Sequence, residues 1–279
     1  MNDPHVERLR YRLASDPSDV AWRNPPPLAI DGPSYKIVLE NQHVTVEMFD
    51  HYSSEESARL AVEPFLHAWE VHAAASARNP IEPLRFEFER AEVIDRSPDP
   101  PGVVRLSGIA LGGGGAMSVS FSIGFSHYPP PPKQFVVTAD VESMWARWLG
   151  YRAKRESLPS MAYFCLTVVE ASVGGKREGQ RRRAASDLNV DLEVLNALGE
   201  LVSEVGAVET RRKAHLKQPR PHTLAEEAWT IAAVKRLMGQ VGEKASDPAR
   251  LPGPLTLADL PPLPEWVLEE LVRRKKPSN

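Results

Sequence analysis

Ten cations gather in two short stretches of this chain. Lys176, Arg177, Arg181, Arg182 and Arg183 form the first, and Arg211, Arg212, Lys213, Lys217 and Arg220 the second. Lysine and arginine at this density neutralise phosphates or carboxylates, and each phosphate contact adds affinity that is independent of sequence and weakens as salt rises. The two clusters flank an apolar-periodic segment at 190–205, so folding can bring them onto one helical face. Neither is interleaved with aromatic residues, which argues against a stacking platform for single strands. The partner predicted for this face is RNA or an acidic protein surface.

A third polar group is Arg152, Arg155 and Glu156, at the end of an aromatic-rich helical segment and just before Pro159. Arg152 shares a face with Trp145, Trp148 and Leu149 and is drawn towards the core, where it needs a carboxylate. Glu156 and Glu170 are available. The pattern predicts an ion pair fixing two helices, with an anion site as the other reading.

Other residue types offer less. The tetraglycine at 112–115 is followed by Ala116-Met-Ser-Val-Ser-Phe121, a strand pattern, whereas a phosphate loop needs a helix N-terminus directly behind its glycines. The eight histidines fall into no metal-ligand spacing, so neither a metal nor any other cofactor is predicted. Glu87 and Glu89 alternate along a strand and are predicted to face solvent. Cys165 sits mid-helix among Phe164, Leu166 and Val168 and reads as a buried, inert thiol.

Those groups need scaffolds, and composition allows them. The chain has 279 residues, 42% hydrophobic and 25% charged, enough for one large or two small cores. Its net charge of −3 supplies no global field towards nucleic acid or an acidic membrane. Residues 1–133 carry 12 Lys/Arg against 18 Asp/Glu, while the remainder carries 22 against 19, so the basic character belongs to the second half. No run of about 18 apolar residues occurs. With a single cysteine and no apolar N-terminal stretch, the expectation is a soluble cytoplasmic protein without a membrane partner.

Hydrophobic periodicity predicts an α+β chain in three parts. Residues 1–33, broken by Pro25, Pro26 and Pro27, read as an arm lying over the surface, although Arg8, Arg10 and Arg12 alternate with Leu9, Tyr11 and Leu13 in a pattern that allows a short strand or helix. Residues 34–133 read as a β-rich domain, an antiparallel sheet with one helix. Tyr35–Leu39 and Val44–Met48 form a hairpin with a four-residue connection, Ser53 and Glu56 form a capping box, and Pro64 bends or divides the helix behind it. Strands follow at 84–90, 103–111 and 117–125. Residues 134–279 read as a helical domain. Its spine is 140–172, Thr223 and Glu226 cap a long helix with Ala228, Ile231, Val234, Leu237, Met238 and Val241 inward, and an extended Pro/Leu tail leads to a final helix.

Tyr151-Arg-x-x-Arg-Glu, then Met161-Ala-Tyr-Phe-Cys-Leu-Thr167, Leu198-Gly-Glu-Leu201, Arg211-Arg-Lys-Ala214 and the helix at 224–241 together resemble a divergent HEPN-type helical bundle over about residues 140–244. That resemblance implies a small, often dimeric bacterial domain of defence or stress systems, many members being metal-independent ribonucleases. It implies a homodimer, and as candidate catalytic groups His215 or His222 for acid–base work with Arg211 or Arg212 on the phosphate. The family signature is Arg followed after four to six residues by His. Here only three residues separate Arg211 from His215 and two separate Arg212 from it. The departure implies a non-catalytic binding or regulatory relative, with the ribonuclease as the alternative.

Overall fold

The computed structural model describes residues 3–14, 20–77, 84–97, 105–108, 123–174, 178–206 and 220–275. The chain is α+β and divides into two compact units between Pro132 and Lys133, the first built on strands and the second on helices.

The first unit holds strands β1 (Pro4–Leu13), β2 (Val20–Trp22), β3 (Leu28–Asp31), β4 (Tyr35–Glu40) and β5 (His43–Met48), then helix α1 (Glu55–Ser76), and strands β6 (Phe86–Asp95), β7 (Arg105–Gly108) and β8 (Ile123–Phe125). Six of these strands form an antiparallel sheet in the order β3-β4-β5-β1-β6-β7, while β2 and β8 pair in parallel.

The expectation of a surface arm over residues 1–33 is corrected here, because β1 lies inside the sheet between β5 and β6. Val6, Leu9, Tyr11 and Leu13 point into the core, and Arg8, Arg10 and Arg12 line the opposite face. The β1–β6 ladder carries two bulges, at Glu7 in β1 and at Glu89 in β6, and the first puts Val6 and Leu9, three residues apart, on the same buried face. The arginines are satisfied across the ladder. Arg8 and Arg10 donate to Glu92 at 3.2 and 2.6 Å, and Arg12 donates to Glu87 at 2.7 Å. Glu87 and Glu89 therefore do not simply face solvent, since Arg12 holds the first and His43 lies 3.6 Å from the second.

The β4–β5 hairpin is tighter than expected. Glu40 pairs with His43, leaving a two-residue turn in which Asn41 (φ 50°) and Gln42 (φ 65°) are both left-handed. That geometry matches the right-handed twist of the flanking strands. Gln42, a costly residue at positive φ, is held from both sides: its carbonyl accepts from Leu13 N and its N–H donates to the Tyr128 hydroxyl.

Helix α1 begins one residue later than the predicted cap, with Ser54 rather than Ser53 accepting from Ser57 N. Pro64 neither divides it nor ends it. The proline ring is on the exposed side, and the Leu60 carbonyl it leaves without an intrahelical donor belongs to a residue 68% exposed, on the solvent side of the helix. The inner face of α1 sets Val62, Leu66 and Trp69 on the sheet, with Trp69 at the centre against Phe65 and Phe86.

The second unit holds α2 (Ala139–Arg152), α3 (Leu158–Ala171), α4 (Gln180–Asp187), α5 (Leu192–Glu204), α6 (Leu224–Ser246), a 3-10 turn (Leu257–Asp259) and α7 (Glu265–Lys275). Helix α3 packs against α2, α4, α5 and α6, with Met161, Ala162, Cys165, Leu166 and Val169 buried. Pro159 starts this helix rather than interrupting one, because the second helical position lacks an intrahelical acceptor for its N–H anyway. The predicted Thr223–Glu226 capping box is present on α6. Its inward face differs from the expectation at one end: Ala228 is exposed and Trp229 is buried in its place. The proline-rich tail lies on the bundle through Asn189 Nδ2 to Pro252 O, Gln240 Nε2 to Gly253 O and a parallel bridge between Val190 and Leu255.

The segment before α2 is anchored on α6. Val136 N donates to Gly242 O at 3.0 Å, and a Cβ placed on Gly242 would meet the Phe135 ring at 2.2 Å. Gly242→Ala is expected to lower unfolding stability by roughly 1–3 kcal/mol through forced displacement of that ring. In a Phe135→Ala background most of this cost should vanish, and a double-mutant cycle by urea unfolding measures the coupling.

Candidate functional site

Of the ten cations of the basic face predicted from sequence, four lie within the described residues. Lys176, Arg177, Arg211, Arg212, Lys213 and Lys217, with His215, lie outside the described residues. Arg181, Arg182, Arg183, Arg220 and His222 are described, and they have different surroundings.

Arg181 is a strut between helices. Its Nε donates to Glu170 Oε1 on α3 at 2.6 Å and its Nη1 to Asn196 Oδ1 on α5 at 3.3 Å. The guanidinium lies over Gly199, where a Cβ would sit 2.8 Å from Nη1, so the glycine leaves the space the strut occupies. Arg183 is exposed and donates to the main-chain carbonyls of Glu178 and Gly174. Arg182 is exposed on the same helix and has no ion-pair partner among the described residues.

Arg220 belongs to the most elaborate polar group in the helical unit. Its two terminal nitrogens donate to both oxygens of Glu226, at 2.8 and 2.7 Å, a fork-on-carboxylate pair. Glu226 is 1% exposed and also accepts from Thr223 N and from Trp266 Nε1, each at 2.8 Å. One carboxylate thus closes the α6 capping box, binds the arginine before it and ties down the first turn of α7. Burial alone would raise the Glu226 pKa. The hydrogen bonds from Arg220, Thr223 and Trp266, together with the guanidinium charge, outweigh it and bring the value to about 2.

His222, the only one of the four alternative catalytic residues within the described chain, has Nε2 3.1 Å from the Leu201 carbonyl. That contact fixes Nε2 as the protonated nitrogen in the neutral ring. Arg220, the described cation nearest to it in sequence, is already committed to Glu226.

At the end of α2 the expected ion pair forms with a different partner. Glu156 accepts from Arg147 at 3.1 Å and from the Ser160 hydroxyl at 2.9 Å, and Arg147 also lies 4.4 Å above the Phe164 ring. Glu170, the other carboxylate proposed for Arg152, is held by Arg181. The reason is the turn at 153–157. Lys154 takes φ 56° there, and the chain doubles back so that the Glu156 side chain reaches the flank of α2 beside Gly150. Arg152 is half-buried and Arg155 exposed.

Cys165 is fully buried, and burial pushes its pKa up to about 12, with the Glu156 charge adding to the effect. A thiol so placed stays protonated and unreactive at neutral pH.

Sequence patterning missed a set of polar side chains in the interior of the unit. Glu200, Thr230, Lys235 and Gln240 are buried on α5 and α6, along with the predicted cap residue Glu226. Lys235 is 2% exposed, with its Nζ 5.8 Å from the centre of the Trp148 ring. Lys235 adjoins Val234 on the apolar stripe, and that position was the one available signal. Among the described residues no group of three or more His, Cys, Asp or Glu is arranged to hold a metal ion. No described helix is long and apolar enough to cross a membrane. Comparison with known proteins gives no match to a family model, to a curated protein or to a solved structure.

Proposed function

We propose that this chain is a non-catalytic cytoplasmic binding protein whose helical unit takes a polyanionic partner, RNA foremost and otherwise an acidic protein surface, through the basic face at 176–220. The observation that carries this reading is the pair Arg182 and Arg183, both exposed on α4, with Arg182 free of carboxylates among the described residues. Arg181 and Arg220 act as internal struts in this reading and contribute little to the ligand. The resemblance of the sequence at 140–244 to HEPN-type bundles supports a regulatory role in a bacterial defence or stress system, acting as a homodimer. Two features support a non-catalytic member over a ribonuclease: the interrupted Arg–His spacing, and His222 turned onto the Leu201 carbonyl.

The test is a salt titration of RNA binding by the wild type and by Arg182→Glu/Arg183→Glu. Removal of two phosphate contacts is expected to reduce the slope of log K against log salt by about 1.4 for single-stranded RNA. Affinity no greater than that of a neutral control protein at about 50 mM salt would remove the RNA reading.

A further inference from the structure

The first residues of β1 are held differently from the rest of that strand. From Arg8 to Arg12 it is paired on both sides, by β5 and β6, but from Pro4 to Val6 its one strand partner among the described residues is β6. On the open side the connection between β5 and α1 takes the place of a strand. Val6 N donates to Tyr52 O at 2.8 Å, and the His51 ring stacks on the His5 ring with centroids 5.3 Å apart and planes 16° from parallel.

His5 has no exposed surface, and neither of its ring nitrogens has a hydrogen-bond partner among the described residues. A buried polar ring with two unsatisfied nitrogens is a standing cost, and it is tolerable only while the ring is neutral. We propose that the His5–His51 stack is an acid-operated latch, which clasps residues 3–6 to the β5–α1 connection near neutral pH and releases them as the surroundings acidify.

The charged groups around His5 come from three segments. Asp3 just before β1 and Glu7 within it favour the His5 cation, but Glu7 is 3.3 Å from Arg8 and Asp3 is 3.6 Å from His51. His51 from the β5–α1 connection and Arg96 beyond β6 oppose the cation, and Asp95 at the end of β6 is occupied by Asp3 N and the Ser97 hydroxyl. Burial is the largest influence, and with Arg96 and His51 it holds the His5 pKa below its ordinary 6.5. The sign follows. Above about pH 6.5 His5 is neutral whether the latch is closed or open, and closure has its full advantage. Below that value the open form takes up a proton from solvent and the closed form does not. Opening therefore grows by up to about tenfold per pH unit, until the closed ring also titrates.

Hydrogen exchange on the full chain tests the latch, with exposure times scaled for the pH dependence of intrinsic exchange. Between about pH 7.5 and pH 5.5 the Val6 amide is expected to lose protection, by at most about tenfold, while the Val46 amide in β5 keeps its own. His5→Phe, which fills the site with a ring that cannot be protonated, is expected to flatten the response of Val6. His51→Phe retains the response but moves its midpoint to higher pH, since His51 no longer opposes protonation of His5. Protection at Val6 that is flat with pH in the wild type would overturn the proposal, as would an undiminished loss in His5→Phe. Should His5→Phe fail to fold, an unmoved midpoint in His51→Phe overturns it equally.

Discussion

Glu226→Ala is expected to destabilise the helical unit by about 2–4 kcal/mol, from a buried indole donor left without its acceptor and a lost helix cap. The loss would appear as a lower midpoint of the unfolding transition assigned to that unit. Four donors lose their acceptor at once: both Arg220 nitrogens, Thr223 N and Trp266 Nε1. Arg220 is 36% exposed and can turn to water, so the lasting cost falls on the indole and on the open helix end. Arg220→Ala has the opposite asymmetry, because it leaves a carboxylate 1% exposed without its guanidinium. The Glu226 pKa should then climb from about 2 back towards or beyond its ordinary 4.5, as burial is no longer outweighed.

The same residue sets a pH dependence. A carboxyl whose folded pKa is depressed contributes stability that is fully present above its unfolded value and is lost as pH falls through the folded one. The window for Glu226 therefore runs from 4.5 down to about 2, and the drop corresponds to roughly 3 kcal/mol. Wild-type stability of the helical unit should fall through that window on acid titration. In Glu226→Gln the slope over the same range should be markedly shallower, and an unchanged slope would show that other carboxyls dominate.

Trp69→Ala is the second large expectation, at about 3–5 kcal/mol for loss of a buried aromatic with only partial collapse of the cavity. Trp69 has no exposed surface, lies 5.3 Å from Phe86 and 6.1 Å from Phe65 between ring centroids, and donates from Nε1 to the Pro129 carbonyl at 3.1 Å. Trp69→Phe keeps much of the volume and loses the hydrogen bond, so it should cost about 1–2 kcal/mol, and the difference between the two variants separates packing from the bond. Urea unfolding of the sheet unit, followed by circular dichroism, reads both. Equal losses for the two variants would make the indole bond, rather than ring packing, the main contribution.

The amino-acid sequence alone determined the elements whose signals are local. Helix periodicity placed the spine at 140–172 and the long helix after Thr223, and the capping box at Thr223 and Glu226 formed as spelled, because a cap is satisfied within four residues. Burial of Cys165 was equally local, a consequence of apolar neighbours one helical turn away. Turn geometry was legible only in outline, since Glu40 and His43 belong to the strands and the left-handed pair Asn41–Gln42 is fixed by Leu13 and Tyr128, which are distant in sequence.

What the tertiary structure decided is pairing at long range. Arg8 to Leu13 alternate in the sequence, but only the fold sets β1 inside the sheet, where its arginines meet Glu87 and Glu92, residues 75 to 84 positions away. The same holds for charge. A row of cations reads as a binding face, yet Arg181 and Arg220 are withdrawn by Glu170 and Glu226, and Arg147 rather than Arg152 takes Glu156. Residue type fixes that an arginine seeks an anion. Only the folded chain decides whether that anion is already inside the protein, because the choice depends on which carboxylate the backbone brings within about 3 Å.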